Sequence, residues 1–326
     1  MVYFLQNIYK KLSKRGDFLI KVVAIVGPTA VGKSALGLKL AQKLNGEIIS
    51  GDSMQIYKKL DIGTAKDSPE ELKQVPHHLV DICEADQRYT VKDFQQKAKA
   101  IITDLSEHNK LPLVVGGTGF YLSSLINNLN LGGKSTGDDQ VRQELLTLEQ
   151  EKGVSGLQEI LQTEDPLAFA KIDIENPRRL IRAIEVKRTT GRSITDQNNG
   201  QQWAEFYLVG LTDERQKLYE RINHRVDKMV EMGLLDEVKY VYDHRDVFPQ
   251  AKNGIGYKEL FPYFEGQQSL DSCLDEIKKN SRHFAKRQFT YFRNQMDVDW
   301  YNISDDKNYQ NIVEENIIKF VGGQND

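Results

Sequence analysis

At 326 residues the chain is long enough for one large domain or two modest ones with a dry core. Hydrophobic residues make up 39% and charged residues 28%, with a formal net charge of −3, which excludes a disordered polar chain and a uniformly basic nucleic-acid binder; any nucleic-acid contact must come from local patches. Cys83 and Cys273 lack CxxC or histidine spacing, which argues against a zinc site or disulfide framework and fits a reducing cytoplasm, and no apolar run approaches the roughly 20 residues of a membrane span.

Residues 1–20 are basic and partly amphipathic, without the continuous apolar stretch or small-residue cleavage site of a secretory signal. Lys14-Arg15-Gly16-Asp17 is what a purine-rich ribosome-binding sequence encodes when translated. Residues 1–20 are therefore read as an N-terminal extension, of which 1–18 are expected to lie outside the native coding sequence, with the protein proper beginning at Leu19.

Residues 22–26 form a β-branched run, the pattern of a buried parallel strand. Gly27, Pro28, Thr29, Ala30, Val31, Gly32, Lys33 and Ser34 then match GxxxxGK[ST], and SALGLKLAQKL supplies helical periodicity. Glycines let backbone N–H groups wrap an anion, and the helix N-terminus adds positive potential. Lys33 reaches a terminal phosphate and the Ser34 hydroxyl can ligate Mg2+. A second strand, 47–50, ends in Gly51-Asp52-Ser53, so Asp52 faces the crevice at the carboxyl ends of the strands. A carboxylate there can take a proton, hold a metal-bound water, or cap the next helix. A third strand, 111–115, runs into Gly116-Gly117-Thr118-Gly119, and Thr118 can donate into the same crevice. No acid ends that strand, so nothing positions water against a γ-phosphate as in an ordinary ATPase. The pattern favours a transferase over a hydrolase.

Residues 131–204 carry helical patterns only, strand character returns at 204–211, a helix is predicted over about 214–244, and a basic helix over about 278–294. The expected fold is α/β: a P-loop NTPase-like core with a parallel β-sheet flanked by helices, from 21–130 and 205–300. An all-helical insertion occupies 131–204 and a peripheral tail 301–326. Two segments concentrate positive charge. NPRRLIRAIEVKRTTGR carries Arg178, Arg179, Arg182, Lys187, Arg188 and Arg192 against Glu185 alone. KKNSRHFAKRQFTYFRNQ carries Lys278, Lys279, Arg282, Lys286, Arg287 and Arg293 among Phe284, Phe289, Tyr291 and Phe292. Cations beside aromatics suit an RNA-contacting helix; an amphipathic helix with a solvated face has the same composition.

GPTAVGKS, SGDSMQIYKKLDIGTAK, HHLVD, VVGGTGFYL, NPRRLIRAIEV and GIGYKE, taken together, resemble the tRNA dimethylallyltransferase (tRNA isopentenyltransferase) family over about residues 21–293. The resemblance implies transfer of a dimethylallyl group from dimethylallyl diphosphate to N6 of adenine 37 in the anticodon loop of tRNA. It further implies that the phosphate loop, often described as an ATP site, holds the diphosphate with Mg2+. It implies Asp52 as general base, with Thr118 and Lys33 in the catalytic set. Arg225 and Arg221, at i, i+4 on one helix face, are candidates for the diphosphate, Arg225 preferred. The RNA-contacting positions it implies are Asp52, Ser53, Met54, Gln55, Thr118, Arg142, Arg178, Arg179, Leu180, Ile181, Arg182, Gly254, Ile255, Gly256, Tyr257, Lys258, Arg282, Lys286 and Arg287. Tyr291 stands where the family pattern has tryptophan. A small-molecule kinase, a prenyltransferase acting on free AMP or ADP, and a non-catalytic RNA-binding module are the alternatives. The arginine-rich segments disfavour the free-nucleotide enzyme. A monomer without membrane contact is expected.

Overall fold

The computed structural model describes residues 19–131, 139–196 and 200–322; the reading of the N-terminal extension falls mainly on residues outside these. The described residues fall into two compact units: those within 19–89, 94–126 and 203–322 in one, and those within 90–93 and 127–202 in the other.

The first unit is built on six parallel strands. In chain order they are β1 (Ile20–Val26), β2 (Gly46–Ser50), β3 (His77–His78), β4 (Leu111–Val115), β5 (Ala204–Thr212) and β6 (Asp299–Asn302), and in space β3-β2-β4-β1-β5-β6. Helices α1 (Lys33–Lys43), α2 (Pro69–Leu72), α3 (Val91–Glu107) and α4 (Gly119–Ile126) belong to its first half. Val22, Val23, Ala24, Ile25 and Val26 are all buried, so β1 has no solvent face, as an apolar β-branched run in a parallel sheet requires. Ile25 pairs with Val115 and Ser50 pairs with Val115, so β1, β2 and β4 end level and their loops leave the sheet side by side. That register creates the site.

The second unit contains α5 (Asp139–Glu164), α6 (Pro166–Phe169) and α7 (Pro177–Thr190). Leu145, Leu157, Leu161, Ala168, Leu180, Ile181, Ala183 and Ile184 form its own core. The Asn176 side chain caps α7 by accepting from Arg179 N, and Gly191 ends the helix in the left-handed region.

The chain then returns through β5 to α8 (Arg215–Glu231), α9 (Leu234–Asp243), α10 (Phe261–Phe264), α11 (Leu270–Gln295), β6 and α12 (Tyr309–Gly322). The single helix expected over 214–244 is two, because Gly233 adopts φ 101° between them. The tail is not peripheral. Asp299–Asn302 adds the edge strand β6, and Val313, Ile317 and Val321 of α12 pack into one cluster with Val23, Ile25, Leu36, Leu40, Val209 and Leu211. Spaced i, i+4, i+8, they form an apolar stripe, and each fully buried aliphatic side chain contributes about 1.5–3 kcal/mol.

Candidate active site

The loop between β1 and α1 brings two cations together. Lys33 Nζ donates to Pro28 O at 2.7 Å, and Arg225 Nη1, from α8, donates to Thr29 Oγ1 at 3.3 Å. Burial, then the nearby Arg225 charge, lowers the Lys33 ammonium to a pKa of about 7, against a smaller opposing pull from Asp52. Two desolvated cations beside a helix N-terminus make a basin for a multiply charged anion. Arg221, one turn before Arg225, also lines the wider cavity, but its guanidinium is committed to the buried carboxylate of Asp213.

Asp52 follows β2. Its Oδ1 accepts from Met54 N at 2.8 Å, so it does cap the next turn, and the residue also lines both cavities described below. Burial raises its pKa above the ordinary carboxylate value, against the Met54 amide and Lys33, which favour the charged form. Thr118 Oγ1 accepts from Ser53 N at 3.1 Å and lies 3.3 Å from Ser53 Oγ, tying the loop after β4 to the loop after β2. The glycines before Thr118 are required by close approach. A Cβ on Gly116 would lie 2.4 Å from the Gly51 carbonyl carbon, and one on Gly117 would lie 2.1 Å from Gln288 Nε2. Gln288, on α11, joins the loops: Thr29 N donates to its Oε1 at 2.8 Å and its Nε2 donates to Gly117 O at 3.0 Å.

An acid does stand beside Ser34, although no strand ends in one. Asp67 lines the same cavity as Ser34, whose side chain favours its charged form, and its Oδ2 lies 3.7 Å from His77 Nε2. Desolvation raises the Asp67 pKa, with Ser34 and His77 pulling the other way. The His77 side chain is 5% exposed, its Nδ1 is 2.8 Å from Val75 O, and its Nε2 has no hydrogen-bond partner among the described residues. Among those residues no group of three or more His, Cys, Asp or Glu converges as a metal cage. The oxygen pair of Ser34 and Asp67 instead suits a cation completed by phosphate oxygens and water, the habit of Mg2+.

A cavity of about 310 Å³ opens from these groups. Thr29, Asp52, Thr118 and Arg225 line its polar side, and Ile222, Val226, Ile255, Ile277 and Phe284 its apolar wall. An adjoining cavity of about 520 Å³ contains Gly32, Lys33, Ser34, Asp67 and Gly117. Ser53, Met54, Gly254 and Gly256 border the first cavity. The remaining loop residues, Gly27, Pro28 and Val31, are buried, and Ala30 lines both cavities.

Several expected RNA contacts are otherwise engaged. Tyr257 is fully buried and donates to Glu237 Oε1 at 2.8 Å, so its side chain does not reach RNA. Leu180 and Ile181 belong to the core of the helical unit. Gln55 borders the wider cavity, but its amide is occupied internally: Oε1 accepts from Ser50 Oγ at 2.9 Å and Nε2 donates to Ala65 O at 3.2 Å. Arg282 Nη1 donates to Asn223 Oδ1 at 2.6 Å, and Arg182 Nη1 to the buried Glu185 at 3.0 Å. Lys258, Lys286 and Arg287 are exposed, as are Arg178 and Arg179 of the helical unit, where Arg142 is half-buried. On α11 the aromatics serve packing: Phe292 is buried, and Phe289 meets Trp300 edge-on with ring centroids 4.9 Å apart.

The sequence model of the IPP transferase family matches residues 55–295. The chain is 48% identical over 307 residues to a tRNA dimethylallyltransferase of Geobacillus thermodenitrificans, covering 93% of this chain and 97% of that one. It is also 48% identical over 285 residues to a tRNA dimethylallyltransferase of Latilactobacillus sakei, covering 87% and 92%. Among solved structures it resembles the full-length tRNA isopentenylpyrophosphate transferase of Bacillus halodurans, with a TM-score of 0.70 at 44% identity over 94% of this chain and 98% of that one. A eukaryotic dimethylallyltransferase acting on tRNA gives 0.76 at 27% identity, over 94% and 80%.

Proposed function

The chain belongs to the IPP transferase family, and from that footing we propose that it transfers the dimethylallyl group of dimethylallyl diphosphate to N6 of adenine 37 in the anticodon loop of tRNA. The observation that carries this reading is the joining of three environments in one cleft. A cation-lined glycine cradle suits diphosphate, an apolar wall suits a five-carbon chain, and a desolvated carboxylate, Asp52, lies where both meet. The wall of Ile222, Val226, Ile277 and Phe284 gives a branched hydrocarbon chain an apolar surface beside the cradle.

In the reaction the bond between the allylic carbon and the diphosphate oxygen breaks with its electron pair leaving on oxygen. A new bond forms from adenine N6 to that carbon, and the N6 proton passes to Asp52. Backbone N–H groups of residues 27–34, Lys33 and Arg225 stabilise charge gathering on the leaving oxygens. The exocyclic amine is a weak nucleophile because its lone pair is delocalised, so proton removal by Asp52 during attack raises its reactivity. Thr118, by fixing Ser53, holds the Asp52 turn. Ser34, with Asp67 beside it, would hold Mg2+, which neutralises diphosphate charge when bound. The adenine must leave its stack to reach the cleft, which an unpaired anticodon loop permits at a few kcal/mol. Exposed Lys286 and Arg287, and in the helical unit Arg178 and Arg179, supply cations for the RNA backbone. The buried thiols of Cys83 and Cys273 fit a cytoplasmic protein, and among the described residues no helix is long and apolar enough to cross a membrane.

The test is incubation with labelled dimethylallyl diphosphate, Mg2+ and total bacterial tRNA, followed by nuclease digestion. N6-prenylated adenosine in the tRNA fraction is expected. Product on AMP but not tRNA would transfer the assignment to free nucleotides, and no product with either acceptor would refute it.

A further inference from the structure

Helix α11 presents two chemistries. Lys286, Arg287 and Arg293 are exposed, whereas Ala285, Gln288 and Phe292 are buried, and Ser281 and Phe284 of the preceding turns line the 310 Å³ cavity with Asp52 and Arg225. Gln288 is 5% exposed and makes one inward hydrogen bond through each end of its amide. Its partners lie 259 and 171 residues away, one in the phosphate loop and one in the loop after β4. Both are backbone groups in strand-to-helix junctions, where neither sheet nor helix supplies a partner. Thr29 is also the residue whose hydroxyl accepts from Arg225. One buried amide therefore fixes the cradle from the inner face of a helix whose outer face carries exposed cations.

We propose that Gln288 is a positioning residue that couples RNA bound on the outer face of α11 to the grip of the phosphate cradle on diphosphate. This rests on the RNA reading of that face given above. The chemistry requires glutamine: the side chain must accept at one atom and donate at the other. Glutamate keeps the acceptor for Thr29 N but loses the donor to Gly117 O. Methionine fills the space and does neither. RNA that restrains α11 restrains Thr29 and Arg225 with it, so less ordering is left for the anion to impose, which makes the two ligands cooperative. Coupling of this kind is reciprocal and typically about 5–150-fold.

The experiment is titration of inorganic pyrophosphate with Mg2+ into the intact protein, with and without a saturating anticodon stem-loop RNA. It compares wild type, Q288M, Q288E and the double variant Lys286→Ala/Arg287→Ala. Wild type should bind pyrophosphate at least about fivefold more tightly with RNA present. In Q288M that ratio should fall to within about twofold of one, while the affinity for RNA alone stays at the wild-type value. The double variant should bind RNA more weakly and bind pyrophosphate normally without it. If Q288M loses its cooperative melting transition, the same ratio measured on Q288E decides. An undiminished ratio in the folded Gln288 variant, or a wild-type ratio of one, overturns the coupling while leaving the transferase reading intact. Wild-type RNA affinity in the double variant removes the outer-face premise and the proposal with it. Failure of wild type to bind RNA at all would overturn the functional reading as well.

Discussion

Glu237 is the sharpest place to test how the cleft is held together. Its Oε2 accepts from Asp61 N at 2.7 Å and Ile62 N at 2.9 Å, and its Oε1 from Gly63 N and Tyr257 Oη, each at 2.8 Å. One carboxylate on α9 thus folds the DIGTAK segment, whose Gly63, Thr64 and Ala65 line the cavity containing Asp52. Burial, followed by the Glu237 charge, pushes the Tyr257 hydroxyl well above its ordinary pKa, so it remains a donor. Glu237→Gln keeps the shape but turns one oxygen into a donor, so two of the four donors lose their acceptor in either amide orientation. Hydrogen bonds to a charged group contribute about 1.5–3 kcal/mol each. Asp61 is exposed and regains water, and Tyr257 Oη can rotate to accept, so the net cost should be about 2–4 kcal/mol. For a protein of this size that lowers the melting temperature by roughly 4–12 °C. Pyrophosphate binding should weaken in parallel, because Thr64 and Ala65 also border the cavity that holds Lys33. Differential scanning fluorimetry and pyrophosphate titration measure the two effects. A variant melting within about 1 °C of wild type and binding pyrophosphate equally well would refute the clamp.

Donor-side kcat/KM should follow a bell with pH. Its basic limb falls near pH 7, where Lys33 loses its proton, by up to about tenfold per unit, and its acidic limb lies above the ordinary carboxylate range because burial raises Asp52. In kcat at saturating donor the basic limb should move upward, since bound diphosphate retains the Lys33 proton; a kcat/KM flat from pH 7 to 9 would contradict the assignment. Arg225→Ala should reduce kcat/KM by about two to three orders of magnitude with little change in melting, whereas Arg221→Ala should chiefly destabilise by leaving Asp213 buried and unpaired. Equal kinetic losses from the two variants would reject that division. Phe284→Ala widens the apolar wall and should raise the kcat/KM ratio of geranyl to dimethylallyl diphosphate at least about tenfold, since added hydrocarbon gains about 0.8 kcal/mol per buried methylene. An unchanged ratio would place the prenyl chain elsewhere.

What could be read before folding was local. The strand–loop–helix around Gly27 to Ser34 carries its own periodicity and its own anion chemistry, and 111–115 coincides with β4 for the same reason. β3 and β6 span two and four residues, too short for a period, and exist because neighbours offer an edge. The stripe of Val313, Ile317 and Val321 was present in the sequence but diluted by Asn, Glu and Lys between, and it reads as core only once α1 is opposite. Tyr257, Leu180 and Ile181 mark a different limit. A motif identifies positions that travel with a function, yet some of them support the backbone from inside rather than touch the substrate.

Asp67 shows why the site itself was only half legible. Local pattern reveals a carboxylate beside the loop serine only when it ends a central strand. The fold delivers one from the turn before α2, with His77 of the edge strand β3 behind it. No spacing rule connects positions 34, 67 and 77; only the parallel crossovers do. The consequence is chemical. Asp52 lines both cavities beside the Lys33 charge, while of these two Asp67 lines only the wider one, together with Ser34. In the proposed reaction the acid beside Ser34 is thereby separate from the acid facing the apolar wall, so one would stay charged beside a metal while the other exchanges a proton. In a hydrolase the metal-side acid also orders the attacking water. Here the acceptor-side acid faces a cavity with an apolar wall, where water is a poor competitor for an allylic carbon.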